Sequence, residues 1–149
     1  MKTILALVLC LLALPATHAE ETSKDLVQLA NLTRSAFLGE YYAQEIGDKK
    51  LAEKLMRLGF TSGLKFRLAL REKKIDASDY DAEVPIEFKL QSEGPTDEFV
   101  MGRWYQFCFQ TVQATYASRG EKDQKEVARS ELRRMNAAAL VKDIQLPSE

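Results

Sequence analysis

Phe99-Val100-Met101-Gly102-Arg103-Trp104-Tyr105-Gln106-Phe107-Cys108-Phe109 is apolar almost all round when wound as a helix. Only Arg103 and Gln106 interrupt it, and with Gln110 and Gln113 they share one polar stripe at helical spacing. Gly94-Pro95-Thr96 precedes the stretch. Thr96 is placed to cap a helix, and Asp97 and Glu98 match the positive end of its dipole. Gly120 is the stop. The expected helix therefore runs from Thr96 to about Ser118. A helix so apolar belongs at the centre of a domain, covered by others.

The chain on either side supplies the cover. From Ser23 to Ile46, Leu26, Ala30, Thr33, Phe37 and Tyr41 recur at three- and four-residue spacing, a first helix with one apolar face. Gly47 ends it and Asp48 caps the next, which runs from Lys49 to about Lys74. Leu51, Leu55, Leu58, Ser62, Phe66 and Ala69 form the second stripe. Gly59 and Gly63, one turn apart, mark where a neighbouring helix crosses closely. A last helix spans Lys122 to Val141 with Ala128, Leu132, Met135 and Ala139 inward, and Glu126 and Arg129 spaced for an outward ion pair.

Between the second and third helices, Ile75 to Pro95 reads as an irregular acidic insertion. Ser78 can cap a short helical turn through Tyr80-Asp81, and Val84 is forced extended by Pro85. Ile86, Phe88 and Leu90 alternate with polar residues as in a strand, although Pro85 equally suits the start of a short helix. The fold class is all-α: a four-helix bundle, or five helices if the insertion forms one, around a central apolar helix.

The first nineteen residues stand apart. Lys2, the apolar run Ile4 to Leu14, Pro15 and the small-residue pair Thr17 and Ala19 have the order of a cleavable export signal. The apolar run is shorter than the ~20 residues a membrane anchor needs, and every later apolar window carries Lys, Arg or Glu. Residues 20–149 are then a single domain, periplasmic or secreted after cleavage near Ala19, in the envelope of a bacterium to judge by the size of the signal.

Cleavage removes His18, the sole histidine, and Cys10, leaving Cys108 alone. Zinc sites, haem attachment, internal disulfides and Ser-His or Cys-His nucleophiles are excluded, and no cofactor is expected. Asp76 to Glu83 is rich in oxygen ligands but lacks the glycine and spacing of a calcium loop, so no metal is assigned. Glu40 and Glu45 are five apart, on different faces of one helix, and cannot flank one bond. Cys108, between Phe107 and Phe109, reads as a buried thiol, while an exposed one would permit a covalent homodimer.

Charge is the strongest non-random feature. Nine basic residues between Lys49 and Lys74 face only Glu53 and Glu72, whereas from Asp76 to Glu98 eight acids face only Lys89. Either the acidic insertion folds back on the basic helix, or a bipolar surface meets an anionic partner through Lys50, Lys54, Arg57 and Lys65. Arg103, Gln106 and Gln110 form a second candidate surface if their stripe faces a cleft. The net charge of −1 offers no reason to expect nucleic acid. Two functions fit. One is an interaction protein (an inhibitor, an immunity-type antagonist or an assembly factor) binding another protein or an anionic envelope component. The other is a histidine-free enzyme using carboxylates, Arg and Tyr on a carbohydrate or small acid. N-terminal sequencing of the exported protein should begin at Glu20, and an intact Met1 on a membrane-bound product would overturn the export reading.

Overall fold

The computed structural model describes residues 21–119 and 123–142. The export signal, its cleavage site and the Gly120 stop lie outside them. The regular structure of the described residues is helical throughout: α1 Ser23–Ile46, α2 Lys49–Arg71, α3 Ala77–Glu83, α4 Ile86–Leu90, α5 Asp97–Arg119, α6 Gln124–Arg134 and α7 Ala137–Leu140. None of these helices is long and apolar enough to cross a membrane.

Local chemistry sets the first hairpin. The Thr22 hydroxyl accepts the Asp25 N–H at 3.2 Å, and the Asp25 carboxylate accepts the Thr22 N–H at 3.0 Å. This reciprocal cap satisfies two of the orphan donors at the start of α1. Gly47, at φ 82°, ends the helix in the left-handed conformation that costs glycine least. Asp48 then accepts the Leu51 N–H at 3.0 Å and starts α2. With only Gly47 and Asp48 between them, α1 and α2 must run back along each other, and they form the most extensive helix pair in the fold.

That pair is close because side chains are missing from it. A Cβ on Gly59 would lie 2.5 Å from the Phe37 ring, and one on Gly63 would collide with the Met101 thioether. Nearby, the Thr33 and Ser62 hydroxyls meet at 2.9 Å, and each lies 2.7 Å from the carbonyl one turn back on its own helix. No donor is stranded at the crossing.

The centre of the bundle differs from the sequence expectation. It is α1, which α2, α3, α5, α6 and α7 all contact. Five consecutive α1 residues, Ala36 to Glu40, are buried, which a helix shows only when it is enclosed. Small side chains make this feasible: a Cβ on Gly39 would meet Leu55 of α2 at 3.2 Å and Met135, at the end of α6, at 3.6 Å. The apolar α5 instead buries one face, Val100, Met101, Trp104, Cys108, Val112 and Tyr116, and leaves Phe99 half exposed.

The acidic insertion is helical rather than irregular. Val84 is extended before Pro85 as expected, but Ile86 to Leu90 form the short helix α4 and not a strand. Proline presets the backbone for a first helical turn, and no strand edge exists among the described residues to pair with. Phe88 points inward and stacks on Trp104 with ring centroids 4.2 Å apart and planes 3° from parallel. The Trp104 indole N–H donates to the Phe88 carbonyl at 3.3 Å, so the tryptophan is fully buried without a stranded donor.

The last expected helix divides. Asn136 adopts φ 51° and separates α6 from α7. Ala128 and Leu132 are buried as anticipated, but the break shifts the phase, burying Ala137 and Val141 and exposing Ala139. Glu131 is buried between Arg119 at 2.5 Å and Arg134 at 2.7 Å, tying α6 to the end of α5.

Two glycine-to-alanine changes should move stability in opposite directions. Gly59→Ala gains up to ~1 kcal/mol of helix propensity but collides with a buried ring, and overpacking of this kind costs about 1–3 kcal/mol. A net loss is expected in urea denaturation. Gly102→Ala in α5 meets nothing within 4 Å and should stabilise by about 0.5–1 kcal/mol.

Candidate functional site

The two residue sets singled out in the sequence occupy different surfaces. Lys50, Arg57 and Lys65 are exposed along α2, and Lys54 is partly exposed. The acidic insertion does not cover this row. Its α3 packs on α1, where the Asn31 side chain donates to the Glu83 carbonyl at 3.1 Å and Arg34 pairs with Glu87 at 2.5 Å. Only at the far end of α2 do the segments meet. Asp97 takes Arg67 at 3.1 Å and Arg71 at 2.5 Å, and Arg67 also donates to the Ser92 carbonyl at 2.7 Å. Lys65 pairs with Glu21 at 2.6 Å, while Arg57 has only Glu53 of its own helix at 3.7 Å. Lys50 and Lys54 have no ion-pair partner among the described residues. Neutralisation therefore reaches the second half of α2 and leaves its start basic.

Arg103, Gln106 and Gln110 do converge. With Gln91, Phe99 and Phe107 they line a shallow depression of about 560 Å³ on the outer face of α5. The Arg103 guanidinium donates to the Glu93 carbonyl at 3.1 Å, which holds it at the rim. Gln91 belongs to the end of α4, whose Ile86 and Leu90 are 64 % and 76 % exposed. They are exposed because α4 is a single turn anchored by Phe88: a side chain two places away on a helix points to the opposite side. The depression combines an aromatic floor, neutral amides and one guanidinium. It holds neither a carboxylate nor a nucleophile, and no set of three metal-ligating side chains occurs among the described residues.

Glu40 is the residue whose environment the sequence concealed. Its pairing with Glu45 suggested a solvated helix end, but it is 2 % exposed at the α1–α5 interface. The Tyr105 hydroxyl donates to it at 3.0 Å, and the Gln44 amide donates from one turn on. Burial pushes the carboxyl above its ordinary value, with these two hydrogen bonds pulling the other way. Around it the Tyr105 ring stacks on Tyr41 at 4.6 Å and meets Phe37 edge-on at 5.3 Å. The signal available in the sequence was the heptad from Thr33 to Glu40, which places both on the inner stripe of α1.

Cys108 is 1 % exposed, and burial pushes its thiol up to about 12. It packs as a core residue and is not poised to attack or to cross-link. No protein-family model matches the chain, and neither a curated protein nor a solved structure matches it.

Because the folded carboxyl of Glu40 titrates above its unfolded value, the native state holds its proton at pH values where the unfolded chain has released it. Its contribution to stability is complete below about pH 4.5, the ordinary value, and is lost as pH rises through the raised one. Glu40→Gln keeps an acceptor for Tyr105 without a charge. Thermal melts should show the variant more stable than the wild type at neutral pH, with the two converging near pH 4. Parallel melting curves across that range would contradict the assignment.

Proposed function

We propose that the protein is a non-catalytic interaction module that docks a partner protein on the α4–α5 face, as an inhibitor, immunity-type antagonist or assembly factor working outside the cytoplasm. The observation that carries this is the exposure of Ile86, Leu90 and Phe99 beside a depression rimmed by Arg103, Gln106 and Gln110. Scattered exposed apolar residues are ordinary, but here Phe99 lines a hollow with Phe107 and an arginine, and Gln91, next in sequence to the exposed Leu90, lines it too. That combination is the composition of binding hot spots, where apolar anchors enter a dry centre and amides and guanidinium fix the register. The compartment rests on the Met1 to Ala19 export signal.

The enzyme alternative needs carboxylates converging from different elements with one held apart as an acid. A depression lined by Glu21 and Glu72 comes nearest. There Glu21 pairs with Lys65 at 2.6 Å and Glu72 with Lys74 at 2.8 Å, and both carboxylates stay about half exposed, so neither is set aside for proton transfer. Of the two buried carboxylates among the described residues, Glu40 is held by Tyr105 and Gln44 and Glu131 by Arg119 and Arg134.

Photo-cross-linking reads the proposal directly. A photoreactive amino acid at Gln106 should capture a discrete envelope protein. Leu90→Asp with Phe99→Asp should abolish that product, with affinity falling by at least about thirtyfold, as loss of a ~2 kcal/mol anchor requires. The melting temperature should fall by only a few degrees, since Leu90 is largely in water and Phe99 half so. A product that survives the double substitution, or none at all from Gln106, would exclude this face.

A further inference from the structure

A second hollow lies where the end of α1 and the start of α2 meet α6 and α7. Ile46, Leu51, Leu132 and Ala137 form its apolar floor, and its volume is about 390 Å³. It shares no lining residue with the α5 depression. Arg129 and Arg133, four apart on α6, stand along one side, both exposed. The spacing of Glu126 and Arg129 suggested an outward ion pair, but the two do not pair, and neither arginine has an ion-pair partner among the described residues. Lys50 precedes Leu51 and Lys54 follows it by three residues, so helical spacing puts Lys54 beside Leu51 on the surface of α2.

Three acids of the neighbouring elements are engaged elsewhere, and Glu45 and Glu126 do not line the hollow. The Asp48 carboxylate caps α2 through the Leu51 N–H, Glu53 faces Arg57, and Glu131 is buried between Arg119 and Arg134. No carboxylate among the described residues lines the hollow. Arg129 and Arg133, unpaired among the described residues, thus border an apolar floor to which the start of α2 contributes Leu51. The sequence placed Leu51 far from these arginines, and the α1–α2 hairpin with α6 against α1 brings them to one hollow.

We propose that this hollow takes an acidic segment of a partner protein, with an apolar side chain on the floor and flanking carboxylates on Arg129 and Arg133. Charge complementarity selects the sign of the occupant. The planar guanidinium fork accepts a carboxylate through two parallel hydrogen bonds, a geometry that lysine does not offer. Size selects a peptide over a lipid: four side chains floor an open hollow of this volume, whereas a site for an acyl chain encloses most of its ligand. The proposal stands independently of the α4–α5 face and gives the protein two binding surfaces.

Selection from a random twelve-residue peptide library against the mature protein tests it. Enriched peptides should carry Asp or Glu on both sides of an apolar residue, and their affinity should fall as salt rises. Arg129→Gln with Arg133→Gln changes only exposed side chains and should leave the melting temperature in place while weakening the selected peptides about tenfold or more. Leu90→Asp with Phe99→Asp should leave their binding unchanged, which separates this hollow from the α4–α5 face. The proposal is overturned by no enrichment, by enrichment of neutral or basic sequences, or by equal binding to the arginine double variant. Retention on phosphatidylglycerol vesicles that depends on the two arginines, without peptide enrichment, would assign the hollow to a membrane surface and likewise overturn it.

Discussion

The close crossing of α1 and α2 is the contact on which the remaining structure depends. It is possible because Gly59 and Gly63 carry no side chain where Phe37 and Thr33 of α1 sit, and because Thr33 and Ser62 use their hydroxyls on each other and on their own helices. Interiors pack at crystal-like density, so a crossing this tight admits little adjustment. Once α2 lies along α1, the other sides of α1 remain to be covered. α5, α6 and α7 contact α1 there, and Gly39 lets Met135, at the end of α6, come close. An enclosed first helix follows from this geometry and needs no unusually apolar sequence.

The second organising contact is the stack of Phe88 on Trp104. Helices as short as α3 and α4 have no stability of their own, since nucleating a helical turn costs more than one turn returns. Burial of a large aromatic and the indole hydrogen bond hold α4 in place. Because a single turn can bury only one side, the same anchor that fixes α4 presents Ile86 and Leu90 to water. Exposure of this apolar pair is thus a geometric consequence of how the insertion is tethered, and it lies next to a depression that can use it.

Charge is arranged by the same packing. The insertion leans on α1 through Glu83 and Glu87, and the acidic stretch reaches α2 at its far end, through the Ser92 carbonyl and Asp97. The basic character of α2 is therefore graded, quenched at its end and retained at its start. Individual surface ion pairs contribute about 1 kcal/mol or less, so this gradient matters more for which partners approach than for stability.

The boundaries of α1 and the start of α2 were legible in the sequence because capping is local: Thr22, Gly47 and Asp48 act within four residues of themselves. The close approach at Gly59 and Gly63 was legible too, because an absent side chain leaves only one steric outcome. The stacking of Phe88 and the break at Asn136 were not, since each depends on a tertiary partner or on a left-handed backbone state that an asparagine adopts only in some contexts. Nor was the enclosure of Glu40, which the sequence reading left off the inner stripe and whose partner Tyr105 lies 65 residues away. The order of residues by itself determined the all-helical class of the described residues, a sole histidine placed in the first nineteen residues, and a sharp division of charge along the chain. Which helix is enclosed, which cations stay unpaired and which aromatic residues face water were decided only by packing, because these properties belong to pairs of residues distant in sequence.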